Sequence, residues 1–208
     1  MHPYPLWSRQ ARILPIAMLI GTLAASAAEP LLQTSFEDGS AGGLPPGWSV
    51  YACDPPNRLE LVSDQVHSGK LALRLVDASR ETACGLRSPR VPVTAGTDYS
   101  VTWWFRAAPG SAGSLYLEFW DRDGKRIQED GVFSFSGTDS GTWERMTSCA
   151  TAPATAVYAT LLAYSWSSGL SEARYDDLTL CEGFVAPYDR TPLPPADVKH
   201  PCGLYRES

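Results

Sequence analysis

The chain has 208 residues, 44% hydrophobic and 19% charged, with 17 glycines and 17 prolines. That length holds one domain with a sizeable core, and the composition excludes disorder, collagen and coiled coil in favour of short elements separated by many turns. A formal charge of −6, a pI near 5.0 and the lack of a Lys/Arg-rich run argue against nucleic acid or an anionic membrane as partner and favour a neutral one.

Arg9, Arg12, the apolar stretch from Ile13 to Ala25 and the small residues after it form a secretory signal peptide pattern. Ala25 and Ala27 stand three and one residues before a cut ahead of Ala28, so residues 1–27 are expected to be removed. The stretch is too short and too interrupted by Pro and Gly for a comfortable membrane span, and no Cys follows the cut to carry a lipid. The mature chain, with 15 basic against 23 acidic side chains, is expected to be secreted or periplasmic, with no membrane span left. Cys53, Cys84, Cys149, Cys181 and Cys202 then lie in a compartment where disulfides persist. None sits in a CxxC, and His67 and His200 are not at zinc spacing. The connectivity is open; strands that can be neighbours favour Cys53 with Cys84 and Cys149 with Cys181, leaving Cys202 free or paired elsewhere.

In the mature chain, turn signals recur about every ten residues, from Gly39–Gly47 through Ser68-Gly69, Pro109-Gly110 and Asp123-Gly124 to Ser168-Gly169. The runs between them alternate with period two. Leu71, Leu73 and Leu75 face one way; Val101, Trp103 and Phe105 alternate with Thr102, Trp104 and Arg106; Leu115, Leu117 and Phe119 alternate with Tyr116, Glu118 and Trp120. No stretch of ten residues reads as a capped amphipathic helix. The fold class is all-β, an antiparallel jelly-roll β-sandwich over residues 28–183. From Phe184 the chain turns proline-rich, so 184–208 reads as a linker or tail, compatible with the front piece of a longer modular protein.

Several short motifs then occur in one order: Ser35-Phe36-Glu37-Asp38-Gly39, Pro46-Gly47-Trp48, Ser68-Gly69-Lys70-Leu71-Ala72-Leu73-Arg74-Leu75, Tyr99 to Ala107, Gly141-Thr142-Trp143-Glu144-Arg145, Thr151-Ala152-Pro153-Ala154 and Tyr175-Asp176-Asp177-Leu178-Thr179-Leu180. In this order they resemble the galactose-binding-like jelly roll of non-catalytic carbohydrate-binding modules, the group that includes families four, nine and twenty-two. The resemblance covers Leu31 to about Gly183 and implies architecture more firmly than ligand. It also implies a structural Ca²⁺ held by Glu37, Asp176 and the Lys70 backbone, with Asp177 the rival for the second side chain. Strand alternation places Asp176 on the inward face with Leu178 and Leu180, where a carboxylate needs a partner. The alternative is that Glu37 and Asp176 accept backbone N–H groups or Arg174 and hold no metal.

Trp48, Trp103 and Trp143 are expected in the core. Their outward neighbours Trp104, Arg106, Tyr116, Glu118 and Trp120 would share one outer face if their strands pair, with Tyr158, Tyr164 and Trp166 added from the run Val157 to Trp166. Pyranose rings stack their apolar faces on aromatic planes while rim side chains bond the hydroxyls, so this mixture suits a sugar groove. Asp121-Arg122-Asp123-Gly124 reads as a hairpin turn, lacking the further ligands of a calcium loop. His67 reads as a loop residue, and no GxSxG, zinc motif or phosphate-cradling loop is present.

The leading expectation is therefore a secreted, non-catalytic module binding polysaccharide or oligosaccharide, with a downstream catalytic domain as a possible companion. A structural or adhesive sandwich, in which Trp104, Tyr116 and Trp120 are covered, is the alternative. A jelly-roll polysaccharide lyase, with Arg106 and Tyr116 as candidates, ranks third because no inward His accompanies them.

Overall fold

The alternating runs are strands. In chain order they are β1 (Leu32–Thr34), β2 (Ser49–Cys53), β3 (Arg58–Val62), β4 (Ala72–Asp77), β5 (Cys84–Arg87), β6 (Val91–Pro92), β7 (Asp98–Ala107), β8 (Ala112–Trp120), β9 (Val132–Thr138), β10 (Glu144–Thr151), β11 (Tyr158–Ser165), β12 (Ser171–Glu182), β13 (Thr191–Pro192) and β14 (Tyr205–Arg206). The computed structural model describes residues 29–128, 141–166 and 169–183 in full, and the backbone of 132–138, 191–192 and 205–206. The expected signal peptide, and the proline-rich tail apart from those four residues, lie outside the described residues. No helix occurs among the described residues.

Two antiparallel sheets result. The first runs β3–β4–β12–β7–β10, continues through β14 and β13, and carries β1 on β12; the second runs β2–β5–β11–β8–β9, with β6 on β11. Val101, Trp103 and Phe105 of β7 and Leu115, Leu117 and Phe119 of β8 are all at most 1% exposed. They meet in one core with Leu61, Leu73, Leu75, Tyr175 and Leu178. Each such side chain contributes about 2 kcal/mol by leaving water. The all-β sandwich is thus as the period-two pattern requires.

Three expectations fail for traceable reasons. β7 and β8 do not pair: β7 lies between β10 and β12, while β8 lies between β11 and β9. Because their inner residues face each other across the same core, their outer residues point to opposite surfaces. Trp104 and Arg106 therefore share no face with Tyr116, Glu118 and Trp120. Second, Asp176 is the cross-strand partner of Trp104, so it stands on the outer face, opposite Tyr175. The register shifts between Asp176 and Thr179, where Asp177 adopts a φ of 47°; this bulge inserts a residue and returns Leu178 and Leu180 to the core. Third, Trp103 is core and Trp48 packs against its edge, 5.7 Å from Phe36, but Trp143 lies outside the core, 5.8 Å from His67.

The cysteines divide in the same way. Cys53 and Cys84 are cross-strand partners on β2 and β5, both free thiols, with Sγ atoms 3.6 Å apart. Cys149 and Cys181 both pair with Ser100, from opposite sides of β7. Two strand spacings, roughly 9–10 Å, separate them, beyond the reach of a disulfide. Accordingly Cys181 is free, and Cys149, which is disulfide-bonded, does not pair with it.

Candidate functional site

The outer face of the second sheet gathers polar and aromatic side chains from four segments. Across β8 and β11 the partners are Trp120 with Tyr158, Glu118 with Thr160, and Tyr116 with Leu162; across β11 and β5 they are Leu162 with Arg87 and Tyr164 with Gly85. The β2–β5 register shifts between Val50 and Ala52, and the extra residue is Tyr51, 45% exposed at the edge. Sequence periodicity brings together Tyr116, Glu118 and Trp120, and the fold adds Tyr164 and Trp166 as expected. Tyr51, Gly85, Arg87, Arg90 and Arg126 join them from outside the expected set. The alternation of Cys84-Gly85-Leu86-Arg87 could have placed Arg87 on an outer face, but not on this one.

Glu118 is the hub. Its side chain is fully buried, and its two oxygens accept four hydrogen bonds. Arg87 Nε donates to Oε2 at 2.7 Å and Arg87 Nη2 to Oε1 at 3.3 Å; Arg126 Nη1 donates to Oε1 at 2.7 Å and Thr160 Oγ1 to Oε2 at 3.1 Å. Thr160 Oγ1 in turn accepts Trp120 Nε1–H at 2.9 Å, which fixes the indole. The hydrogen bond from Arg126 to Glu118 holds its guanidinium firmly charged. A carboxylate so enclosed contacts no ligand; it positions two guanidinium groups. Arg87 lies 4.5 Å over the Tyr51 ring and 5.1 Å from that of Trp120, and Arg90 lies 4.4 Å from Trp120. The indole of Trp120 is thus already engaged by two cations.

The rings form a continuous patch beside this network. Tyr51 and Tyr164 centroids are 5.8 Å apart, Tyr164 and Tyr116 5.5 Å, Tyr164 and Trp166 5.9 Å, and Tyr116 and Trp166 6.1 Å. Tyr116 is only 9% exposed, whereas Trp166 is 55% exposed. Burial, then the neighbouring Tyr51 and Tyr116, push the Tyr164 hydroxyl up, so it stays protonated and able to donate. The patch offers stacking surface at its Tyr51 and Trp166 ends and hydroxyl groups between them.

On the opposite surface, Trp104 stacks under His67 at 3.7 Å with 16° between planes, and His67 Nδ1 is 2.7 Å from Asp177 Oδ2. His67 is a loop residue as expected, yet it covers one face of Trp104. The loop 67–71 is tied to two carboxylates. Asp176 Oδ2 accepts His67 and Ser68 N–H, and Glu37 Oε1 accepts Lys70 and Leu71 N–H. Gly69 is required here: it has a φ of 62°, and a Cβ would stand 2.4 Å from Glu37 Oε1. Burial pushes Asp176 up to about 6, with Asp177 adding to the rise, against the backbone bonds that lower it. Backbone bonds from Lys70 and Leu71 hold Glu37 low.

The acidic cluster here differs in membership from the expected ligand set. His67, Asp176 and Asp177 bring ligand atoms within 4.8 Å of one another, while Glu37 is outside that set and Lys70 directs its N–H toward Glu37. The Asp121–Lys125 segment is the hairpin turn expected, with Asp121 Oδ1 accepting the N–H groups of Asp123 and Lys125.

No protein-family model matches the sequence, and no curated protein matches it. Solved structures do. The CBM22-1 xylan-binding domain of Paenibacillus barcinonensis Xyn10C aligns with a TM-score of 0.51 and 16% identity over 78% of this chain and all of that one. The CBM22-1–GH10 modules of Clostridium thermocellum Xyn10B, complexed with xylohexaose, align with a TM-score of 0.54 and 16% identity over 80% of this chain and 30% of that one. The enzymatically active domain of bacteriophage CBA120 tailspike protein 4 aligns with a TM-score of 0.55 and 11% identity over 66% of this chain, which spans only 19% of that domain's chain. The structural neighbours are thus carbohydrate-binding modules, some attached to catalytic domains, together with a few enzymes. The chain has the galactose-binding-like jelly-roll fold of the carbohydrate-binding modules.

Proposed function

We propose that this is a secreted, non-catalytic polysaccharide-binding module whose site is the outer face of the second sheet. One observation carries the reading: the linked rings of Tyr51, Tyr164, Tyr116 and Trp166, exposed at both ends and flanked by pre-oriented guanidinium groups. Sugars stack at Tyr51 and Trp166, and hydroxyl groups are bonded by Tyr164 and the arginines. Trp104 and Arg106, on the other sheet, have no part in it. An accessory role beside a catalytic domain is part of the proposal, supported by a neighbour that carries such a domain, since a tethered binding module raises the local concentration of substrate.

The lyase reading loses support, because His67, the histidine inside the domain, lies on the other sheet against Trp104. A structural Ca²⁺ belongs to the proposal as a staple for loop 67–71, held by the neighbouring carboxylates of buried Asp176 and part-exposed Asp177. The test is affinity electrophoresis of the purified protein in gels containing xylan, β-glucan, galactan or polygalacturonate, with a reducing-end assay alongside. Retardation in at least one gel without release of reducing ends supports the reading; release of ends would make it an enzyme.

A further inference from the structure

The net charge of the chain favours a neutral partner, but a ligand meets one face and not the average. On the outer face of the first sheet, arginines are paired with carboxylates: Arg74 bonds Glu60 and Glu172, and Arg174 bonds Glu172 and Asp64. The second sheet is built the other way. Arg87, Arg90 and Arg126 converge around Trp120 with one carboxylate among them, Glu118, which is fully buried and saturated by four donors.

We propose that this face takes an anionic polysaccharide, its sugar carboxylate or sulfate received by Arg87 and Arg90 beside Trp120; the inference rests on the sugar-binding reading of the same face. Arg90 pairs with no carboxylate among the described residues. Its Nη2 donates to the Gly124 carbonyl, which holds the exposed guanidinium over the indole. Arg87 spends Nε and Nη2 on Glu118, and its plane is fixed by that bidentate bond and by the Tyr51 ring. Two guanidinium groups locked against one indole are pre-organised donors for a planar anion, and little ordering is needed on binding.

Among the described residues, nearby acids do not cancel them. Asp121 and Asp123 of the adjoining hairpin are matched by Arg122 and Lys125, and Asp77 acts at the other end of the face, on Tyr164. Trp120 has two cations against its ring, Arg87 and Arg90, where Tyr51 has Arg87 alone, so Trp120 is the poorer platform for a neutral ring. The aromatic end at Tyr51 and Trp166 supplies stacking, and the Trp120 end supplies charge recognition.

The experiment is titration calorimetry of the purified protein with polygalacturonate, its fully methyl-esterified form, a sulfated galactan, neutral xylan and polyglutamate, at low and high salt. The expected result is charged glycan bound at least about tenfold tighter than the methyl ester or xylan, with affinity falling as salt rises. Preference for polygalacturonate assigns the carboxylate; preference for the sulfated galactan assigns the sulfate. Arg90→Gln, which leaves the Glu118 network intact, is expected to cost about tenfold on the charged glycan, with an unchanged melting curve. Xylan or methyl ester binding as tightly as the charged polymers overturns this inference and leaves the sugar reading standing. No glycan bound by folded protein overturns both. Polyglutamate binding as tightly as the charged glycans overturns the inference as well, because the face would then read charge without sugar.

Discussion

Gly85 and Tyr164 are cross-strand partners, and the missing side chain of the first is what lets the ring of the second lie across β5. A Cβ on Gly85 would stand 2.8 Å from Tyr164 Cδ2 and 3.2 Å from the Ala163 carbonyl oxygen. Ring carbon and backbone cannot yield cheaply. Gly85→Ala is therefore expected to cost about 1–3 kcal/mol in chemical denaturation and to displace Tyr164 from Tyr51 and Tyr116. Glycan affinity should fall with it; a variant as stable and as tight-binding as the parent would remove Gly85 from the account.

Glu118 is a positioning residue. Replacing it by Gln leaves Arg87 and Arg126 without their shared carboxylate, and breaking a buried pair this way is expected to cost about 3 kcal/mol. The readout that separates positioning from bulk stability is affinity measured well below the melting temperature. Glycan binding should weaken there although the protein is folded, and Thr160→Val, which removes one bond to Glu118 and one from Trp120, should weaken it less.

Cys53 and Cys84 are expected to form a disulfide in an oxidising compartment, giving up two electrons and two protons to the oxidant. They are direct partners across β2 and β5, and their sulfurs are already 3.6 Å apart. Closing a loop between positions 31 apart is worth about 3–4 kcal/mol by the chain-entropy estimate. Burial raises both thiols above their ordinary range, so the reaction should be slow at neutral pH and speed up as pH rises. Peptide mapping after oxidation checks the bridge; Cys53 and Cys84 both still alkylatable, beside the free Cys181, in the oxidised, folded protein would count against it.

The structural Ca²⁺ is tested by thermal melts. Chelation is expected to lower the melting temperature by about 5 °C, with recovery on adding Ca²⁺ and no change in the ring network of the other sheet. Asp176→Asn should abolish the response to Ca²⁺. Identical melts with and without chelator would leave loop 67–71 held by its carboxylate-to-backbone bonds alone.

Much of the fold is legible because alternation is a local property. The inner residues Trp103, Phe105, Leu117 and Phe119 announce themselves every second position, and so do the outer Tyr116, Glu118 and Trp120. Which sheet a strand joins is a long-range property with no local signature. Alternation alone therefore puts Trp104 and Arg106 beside the residues of β8, although a jelly roll carries the chain to the opposite sheet between β7 and β8. One bulge at Asp177 reverses the facing of Asp176, and another at Tyr51 creates the exposed end of the aromatic patch; neither has a glycine to mark it. The arginines were hidden for a further reason. Arg87 and Arg126 read as ordinary surface charge until the fold brings both to one buried carboxylate.

The most direct measurement of the central claim is a binding isotherm of the purified protein against a polysaccharide it retains, comparing wild type with Tyr51→Ala, Trp166→Ala and Trp104→Ala. The account predicts at least about a tenfold loss for each of the first two and none for Trp104→Ala, since the loss of a stacking anchor is worth about 1.4 kcal/mol or more. Unchanged affinity in Tyr51→Ala and Trp166→Ala, or a loss confined to Trp104→Ala, would contradict it and move the site to the other sheet.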